Sequence, residues 1–297
     1  MNIRHYNHNQ DYSRVDDFLV EIYQPGDTFG NWLQPRWEYM HYNQTDEPDP
    51  TKIGIFEDDG KIVGVVNMEA DKKTAYLQVR PGYESIKPDM FDYAEANFQG
   101  LSQSTGNQIR VLYISEFDED FTELAKVRGY EIWPDFAEEN SRCLLDKPVP
   151  EGKLPGGFRL HSLADELDYR KINRVLWRGF NHPGPPPEEH VQSRKDMLLA
   201  PNFRKELTIV AVAPDGNYVS YCGMWFVPAN RVAYVEPVAT DPDYRRMGLG
   251  KAAVLESVRR VAALGADVAW VGSGLEFYSA IGFEKMFTFF PWVKVLD

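Results

Sequence analysis

The sequence contains very little cysteine, and the two cysteines are poorly placed for a cross-link or a metal. Among 297 residues, only Cys143 and Cys222 are present, and they lie in different halves of the chain. There is no Cys-x-x-Cys pair and no cluster of cysteine with histidine, so neither a disulfide framework nor a thiolate metal site is indicated. We expect both cysteines to lie in the core and the protein to hold no metal.

Long apolar segments are also missing. No run approaches the roughly eighteen consecutive apolar residues that would predict a transmembrane helix. The first residues, Met1 to Asn7, lack the charged and then apolar pattern of a signal peptide. We therefore expect a cytoplasmic protein without a membrane segment. With 43% hydrophobic and 26% charged residues over this length, the composition predicts a globular chain of two domains.

Basic residues are scarce relative to acidic ones. The chain has 32 Lys and Arg against 45 Asp and Glu, and its net charge of −13 argues against nonspecific binding to nucleic acid. Residues 1–150 hold 28 acidic and 14 basic residues, a net charge of −14, whereas residues 151–297 hold 17 and 18, a net charge of +1. The acidic surplus therefore lies in the first half, where it predicts either a solvated acidic surface or a field that attracts a cationic ligand.

A segment rich in proline and glycine divides the chain near its midpoint. Residues 148–157 contain three prolines and three glycines, which disfavour both a helix interior and a central strand. This segment predicts a linker between a domain at 1–147 and a domain at 158–297. Each side also contains an Asp-Gly hairpin signal, at Asp59-Gly60 and at Asp215-Gly216, within a similar order of strands and helices. The simplest interpretation is two α+β units in tandem.

Periodicity in the second half predicts the elements around one polar loop. A strand is predicted from Arg231 to Thr240, and apolar residues then recur at helical spacing from Lys251 to Leu264. Upstream, residues Ala164 to Trp177 are predicted to form a helix. At the C-terminus, residues Phe283 to Val295 are predicted to form a pair of strands.

The loop between that strand and that helix is the most informative segment of the sequence. Gly248 and Gly250 stand at the predicted helix start, where a backbone without side chains lets an anion approach several unpaired N–H groups. The helix dipole adds positive potential there, and so do Arg245, Arg246 and Lys251. The segment therefore predicts a binding site for a phosphate group.

Two familiar phosphate-binding patterns do not fit this loop. A P-loop needs a glycine where Arg245 stands and a Ser or Thr where Ala252 stands. A dinucleotide fingerprint needs its first glycine directly after the strand, but Asp241 to Arg246 intervene, and fewer than fifty residues follow Gly250. A helix-capping loop without any ligand stays open as a third interpretation.

The segment resembles the signature of the GNAT superfamily of acyl-CoA N-acyltransferases, Arg/Gln-x-x-Gly-x-Gly/Ala between a strand and a helix. The resemblance extends to residues 236–239 and 276–283, and it covers most of residues 158–297. It implies acetyl-CoA as cosubstrate and no metal. It also implies an α+β fold of two tandem domains, each with a mixed, mostly antiparallel central sheet flanked by helices. A bulge is expected at Pro237, because few other places in a strand tolerate proline. The residues expected to bind acetyl-CoA are Val238, Ala239, Thr240, Arg245, Arg246, Met247, Gly248, Leu249, Gly250 and Lys251.

The same resemblance implies two catalytic residues. Tyr278 matches the family tyrosine that protonates the leaving thiolate, and a phenol with a reference pKa of about 10 carries a proton at neutral pH. Glu236 stands at the expected bulge, where a carboxylate can accept the proton of the attacking amine. Packing in the core is the alternative for Tyr278, and anchoring of the acceptor or a salt bridge is the alternative for Glu236. The sequence departs from the family at Val271, where many members carry asparagine.

The first half looks like a degenerate copy of this arrangement. Alignment of the two loops sets Lys87 against Gly248 and Asp89 against Gly250, so both glycines are lost, and Pro88 removes an N–H donor. We therefore expect no acetyl-CoA site in residues 1–147. Their expected role is structural or in shaping the acceptor pocket.

These features predict an N-acetyltransferase that moves an acetyl group from acetyl-CoA to a primary amine of a small, cationic acceptor by direct attack. The alternative is a noncatalytic acetyl-CoA sensor or interaction module. The presence of both Tyr278 and Glu236 favours the enzyme, because a sensor needs neither.

Overall fold

The computed structural model describes residues 1–26, 30–42, 49–69 and 71–296. The chain divides into two compact units. Unit 1 comprises Met1–Met40, Asp46–Asn140 and Met286–Asp297, and unit 2 comprises Ser141–Lys285 with the short segment His41–Thr45. Within the described ranges, none of the helices combines the length and the apolar character needed to cross a membrane.

The first part of the chain alternates between strands and helices. In chain order the elements are β1 (Asn2–His5), α1 (His8–Ile22), α2 (Gln34–Tyr42), β2 (Gly54–Asp58), β3 (Lys61–Asn67), β4 (Thr74–Val79), α3 (Lys87–Asn97), β5 (Gly100–Leu101), β6 (Gln108–Ser115), α4 (Glu119–Val127) and β7 (Glu131–Ile132). The predicted Asp59-Gly60 turn joins β2 to β3, and both of its residues have positive φ, as a two-residue hairpin turn requires.

The second part repeats this order. Its elements are β8 (Glu138–Leu144), β9 (Arg159–Ser162), α5 (Tyr169–Gly179), α6 (His190–Met197), β10 (Ile209–Val212), β11 (Tyr218–Val227), β12 (Val232–Thr240), α7 (Leu249–Ala263), β13 (Val268–Val271), α8 (Glu276–Ser279) and β14 (Glu284–Val295).

Each unit is built on a mixed sheet in which antiparallel pairs predominate. In unit 1, strands β1 to β4 pair antiparallel in sequence order, β4 pairs parallel with β6, and β6 pairs antiparallel with β14. In unit 2, strands β9 to β12 pair antiparallel, β12 pairs parallel with β13, and β13 pairs antiparallel with β8. The predicted fold class, two tandem α+β domains with mixed sheets flanked by helices, is confirmed.

The last strand of each unit comes from the other half of the sequence. Strand β14, at the C-terminus of the chain, pairs with β6 in unit 1 over residues 289–295. Residues 141–144 of β8, which precede the linker, pair with β13 in unit 2. Residues 158–297 therefore do not contain every strand of the sheet that carries the predicted site.

Helices cover both faces of the sheet in unit 2. On one face, α5 packs through Ile172, Val175 and Leu176, whose spacing places all three on one side of the helix. On the other face, the apolar side of α7 packs in a core with Tyr278 and Phe283. The end of β12 therefore lies between α5 and α7, and this arrangement positions the predicted site.

Three predictions made from the sequence need correction. The helix predicted from Ala164 begins at Tyr169, because the Asp168 side chain caps it by accepting hydrogen bonds from the backbone N–H groups of Arg170 and Lys171.

Residues 283–295 do not form a strand pair: β14 is one strand of twelve residues, and it contains no turn-forming pair. The alignment of the two loops was one residue out of register, since the N-cap of α3 is Ile86 and that of α7 is Gly248.

Candidate functional site

Strands β11 and β12 lose their regular register next to Pro237. Cys222 pairs with Val238, but Met224 pairs with Val235, so β12 holds an extra residue opposite Gly223. The Trp225 indole N–H donates a hydrogen bond to the Glu236 carbonyl oxygen at 2.9 Å, so this oxygen has a partner although the strand register is broken there. The predicted bulge at Pro237 is therefore confirmed, and it turns the backbone of β12 at Glu236.

Strands β12 and β13 separate just before this bulge. Their parallel pairing runs from Val232 and Val268 to Tyr234 and Trp270, and β13 ends at Val271, whereas β12 continues to Thr240. Among the described strands, none pairs with β12 on the β13 side after Tyr234. The residues of β12 after Tyr234 therefore have an open strand edge that a ligand with amide groups can occupy.

Helix α7 begins at the glycines that the sequence singled out. Gly248 is its N-cap and has φ +82°, a conformation that glycine adopts at little cost. A Cβ on Gly250 would lie 2.9 Å from the Thr240 hydroxyl oxygen, so the helix start approaches the end of β12 closely. The backbone N–H groups of the first helical residues, Leu249, Gly250 and Lys251, have no acceptor within the helix. They are available to an anion.

A buried aspartate fixes the loop between β12 and α7. Asp241 is 0% exposed and accepts hydrogen bonds from Arg178 at 2.7 and 2.9 Å and from the Asp243 N–H at 3.1 Å. Arg174 adds an ion pair at 3.1 Å. Burial raises the pKa of Asp241, but the bonds from Arg178 and from Asp243 outweigh it, so the net pKa is lowered. Asp241 therefore stays charged and holds the loop against α5.

Arg245 forms hydrogen bonds that hold the same loop in place. Its guanidinium donates to the backbone oxygens of Thr240 at 3.1 Å and Gly179 at 2.8 Å, and to the Asn181 side chain at 2.8 Å. Arg245 therefore shapes the loop, and its expected contact with acetyl-CoA stays a prediction. The neighbouring residues Arg246, Met247 and Gly248 are exposed.

Lys251 also lines a pocket of about 490 Å³ beside α7. The pocket's other walls include Leu255 and Val258 of the same helix and residues 280–284 after α8. This pocket lies beside the helix, and Lys251 is the one residue of the expected acetyl-CoA site among those that line it.

Tyr278 lies on the short helix α8 and is 6% exposed. Its ring packs edge-on against Phe277 and Phe283 at centroid distances of 5.0 and 5.6 Å. Burial raises the pKa of Tyr278 above its ordinary value, and electrostatic interaction with Glu236 raises it further. Tyr278 therefore keeps its proton at neutral pH.

Cys222 is the other reactive side chain in this core. It is 0% exposed, and burial raises the pKa of its thiol to about 12. The thiolate is the nucleophilic form of cysteine, so Cys222 is inert at neutral pH. The prediction that it is a core residue is confirmed.

The corresponding cleft of unit 1 is built differently. Strands β3 and β4 pair one residue at a time from Gly64 and Val79 to Asn67 and Tyr76, without the bulge of β12. The cap Ile86 has φ −85°, and Pro88, which takes the place of Gly250 in the corrected alignment, has no N–H to donate. The features that open the cleft of unit 2 are therefore missing from these described strands of unit 1.

Side chains of unit 1 occupy its own cleft. The Lys87 ammonium, in a residue 6% exposed, lies 2.7 Å from Asp118 and 3.0 Å from Asp120. The Asn31 carboxamide pairs with both backbone groups of Val79, accepting from the N–H at 2.8 Å and donating to the oxygen at 3.0 Å. A cavity of about 280 Å³ remains, lined by three carboxylates and this one ammonium among its charged groups. Its net charge repels phosphate.

The sequence pattern did not identify several residues that shape the unit 2 site. Gly223, Arg178 and Asp241 were not predicted to shape it. Asp241 stands before Pro242, in a combination typical of a capped turn, so a turn could have been read there. The close approach of Gly223 to β12 depends on strand register, which a single sequence does not reveal.

Comparison with known proteins agrees with this geometry. The sequence model of the acetyltransferase (GNAT) family matches residues 169–286. No curated protein matches the chain by sequence. This family uses acetyl-CoA as cosubstrate, and its fold supports acetyl transfer in general.

Solved structures match over nearly the whole chain. A tandem GNAT protein from the clavulanic acid biosynthesis pathway has a TM-score of 0.67 at 14% identity, covering 99% of this chain and 98% of its own. A GCN5-related N-acetyltransferase from Sphaerobacter thermophilus has a TM-score of 0.63 at 15% identity, covering 99% and 95%. At such identities the likeness concerns the fold. Residues 169–286 therefore match the GNAT acetyltransferase family model, and the chain has the fold of tandem GNAT proteins.

Proposed function

We propose that unit 2, most of which lies within residues 158–297, is the catalytic domain of an N-acetyltransferase, which moves an acetyl group from acetyl-CoA directly to the primary amine of a small, cationic acceptor. One observation carries the proposal. The buried phenol of Tyr278 packs in one core with Val235 and Val238, the residues of β12 on either side of the bulge at Glu236 and Pro237, next to the end of β13. This arrangement supports the assignment of a proton donor, a proton acceptor and an open strand edge to one site.

The residues of the loop fit the phosphates of acetyl-CoA. Gly248 and Gly250 leave the N–H groups at the start of α7 open to an anion, and a Cβ on Gly250 would collide with Thr240. We assign the pyrophosphate to these N–H groups, with Arg246 and Lys251 adding positive charge. Met247 and Leu249 contribute the backbone between them.

The open edge of β12 fits the pantetheine arm, which carries two amide groups. Val238, Ala239 and Thr240 offer backbone N–H and C=O groups on a strand whose β13 side has no strand partner among the described residues. Amide groups in an extended ligand form the same ladder that a neighbouring strand forms. The thioester would then reach the bulge at Glu236.

The reaction requires two proton movements, and the site has one group for each. The neutral amine forms a bond to the thioester carbonyl carbon, and Glu236 accepts the proton that the nitrogen loses, directly or through water. The C–S bond then breaks, and Tyr278 donates its proton to the departing sulfur. The elevated pKa of Tyr278 keeps that proton available before this step.

Direct transfer is favoured over an acetyl-cysteine intermediate. Cys222 is buried and its thiol pKa is about 12, and burial also raises the pKa of Cys143. Neither cysteine has the lowered pKa that typifies a catalytic thiolate.

The acetyl-transfer assay tests this proposal. The full chain is incubated with acetyl-CoA and a panel of primary amines, and both free CoA and acetylated amine are measured. We expect stoichiometric formation of the two products with at least one amine, and none with a Gly250→Glu variant, whose carboxylate would repel phosphate. Binding of acetyl-CoA without product from any amine would support the sensor instead.

The panel also tests the charge of the acceptor. Because the chain carries a net charge of −13, a cationic amine is attracted at long range, and its kcat/KM should fall as salt rises above about 0.1 M. Preference for neutral or anionic acceptors at low salt would contradict this assignment.

A further inference from the structure

A serine from the first half of the sequence lies in the catalytic unit. Ser141, in β8, pairs with Val271, the last residue of β13, and is 3% exposed. Its hydroxyl donates to the Ser273 carbonyl oxygen at 2.7 Å. The bond joins the middle of β8 to the loop that follows β13, so the Ser141 side chain connects its own strand to that loop.

That loop leads directly to Tyr278. Within residues 272–275, the Leu275 N–H donates to the Ser273 hydroxyl at 3.3 Å, and the Leu275 oxygen accepts from the Tyr278 N–H at 2.8 Å. A continuous chain of three hydrogen bonds therefore runs from Ser141 to the backbone of Tyr278.

Helix α8 has little ability to fix its own position. It consists of four residues, Glu276–Ser279, and a single helical turn is not stable by itself in water. After the helix, the Phe283 N–H donates to the Tyr278 oxygen at 3.0 Å, which anchors the far side. The bond from Ser141 anchors the near side.

We propose that Ser141 is a positioning residue that sets the location of the Tyr278 phenol through the 272–275 loop. The proposal rests on the proposed role of Tyr278 as proton donor. A donor must lie within hydrogen-bond reach of the sulfur, and a displacement of about 1 Å can lower a rate by roughly 10²-fold. A residue acting in this way affects turnover rather than binding of acetyl-CoA.

A double-mutant cycle in the full chain separates positioning from simple stabilisation. We expect Ser141→Ala to lower kcat about five- to fiftyfold, with KM for acetyl-CoA changed less than about twofold. Ser141→Thr keeps a hydroxyl and should restore most of the loss. In a Tyr278→Phe background, Ser141→Ala should lower kcat by less than about twofold, because the phenol that it positions is gone.

Ser162→Ala is the matched control. Ser162 is equally buried, and its hydroxyl donates to Asp165 at 2.7 Å, away from the 272–275 loop. This variant should lose stability without the coupling to Tyr278. An equal fall in kcat for Ser141→Ala in both backgrounds, or an unchanged kcat, would overturn the proposal.

Hydrogen exchange gives a readout that does not depend on activity. Backbone amides of residues 272–283 should exchange faster in Ser141→Ala than in the wild-type chain, whereas Ser162→Ala should leave them unchanged. If Ser141→Ala does not fold, Ser273→Ala removes the next bond of the chain at a more accessible residue and should speed exchange in the same segment. Unchanged exchange would refute the positioning role. A wild-type chain that transfers no acetyl group would instead refute the proposed function.

Discussion

Gly223 and Glu236 approach each other so closely that a Cβ on Gly223 would lie 2.2 Å from the Glu236 carbonyl oxygen. The same Cβ would lie 2.9 Å from the Cδ of Pro237. The bulge in β12 thus has the space it needs because its partner strand has no side chain there. This contact links the identity of a residue in β11 to the position of the candidate base in β12.

Replacement of that glycine tests whether the bulge matters. Gly223→Ala should force the two strands apart, lower turnover at least tenfold, and cost about 1–3 kcal/mol in the free energy of unfolding, the usual cost of overpacking. Steady-state kinetics and urea denaturation measure the two effects. Gly156→Ala is the control, because a Cβ there meets nothing within 4 Å. Full turnover in Gly223→Ala would show that the bulge is unimportant.

Tyr278→Phe removes only the phenolic proton. We expect turnover to fall about ten- to a thousandfold while the affinity for acetyl-CoA stays nearly intact, since the lost interaction belongs to leaving-group protonation. Tyr218→Phe is the control, because it also removes a buried hydroxyl, one that donates to the Glu166 oxygen at 2.9 Å. An unchanged turnover rate, in an assay where acetyl transfer is the rate-limiting step, would show that Tyr278 does not act as the proton donor.

The raised pKa of Tyr278 also predicts how the wild-type rate depends on pH. Because its pKa is raised, Tyr278 should keep its proton beyond the ordinary tyrosine pKa of about 10. The rate should therefore not decline below about pH 10 through loss of that proton. A decline near pH 8 that disappears in Tyr278→Phe would mean that the phenol ionises early.

Alanine substitutions at two glycines with similar backbone angles distinguish a loss of cofactor binding from the effect of backbone strain. Gly248, at the start of α7, has φ +82°, and Gly265, after its end, has φ +92°. Alanine at either position should cost about 1–3 kcal/mol in stability. Only Gly248→Ala should also weaken acetyl-CoA binding, by tenfold or more, because it disturbs the anion site. Equal affinities in the two variants would argue against phosphate binding at this helix start.

The buried charge of Asp241 gives a prediction for stability against pH. Its folded-state pKa is lowered, so the stabilisation is fully present above about pH 4, the unfolded value, and is lost as the pH falls through the folded value. Asp241→Asn should cost about 1–3 kcal/mol at pH 7, and the difference from wild type should shrink at pH 3.

Urea denaturation at the two pH values measures this, with Asp267→Asn as the control. Asp267 forms an exposed ion pair with Arg231 and should matter much less. If Asp241→Asn lowers the free energy of unfolding by the same amount at pH 3 as at pH 7, the stabilisation does not come from the charge of Asp241.

The sequence predicted the fold class because periodicity and turn residues act locally. The Asp59-Gly60 turn, the strand that ends at Thr240 and the helix that follows Gly248 each depend on residues within a few positions of one another. The bulge at Pro237 was predictable for the same reason, since proline cannot donate to a strand ladder.

Contacts between distant segments were not predictable from one sequence. Strand β14 pairs with β6, and β8 pairs with β13. Several strands of the chain are similarly apolar, so the sequence alone does not show which strand pairs with which. The same holds for the Asn31 carboxamide, which pairs with Val79 across 48 residues. Such contacts follow from register, which local pattern does not determine.

Titration calorimetry with acetyl-CoA tests the central claim, a single working cofactor site at the start of α7. The wild-type chain should bind one acetyl-CoA, Gly250→Glu should bind none detectably, and Lys87→Gln should bind one as before. Loss of two charge-assisted hydrogen bonds at about 1.5–3 kcal/mol each weakens binding by roughly two to four decades. A stoichiometry of two, or binding that survives Gly250→Glu and disappears in Lys87→Gln, would contradict the account.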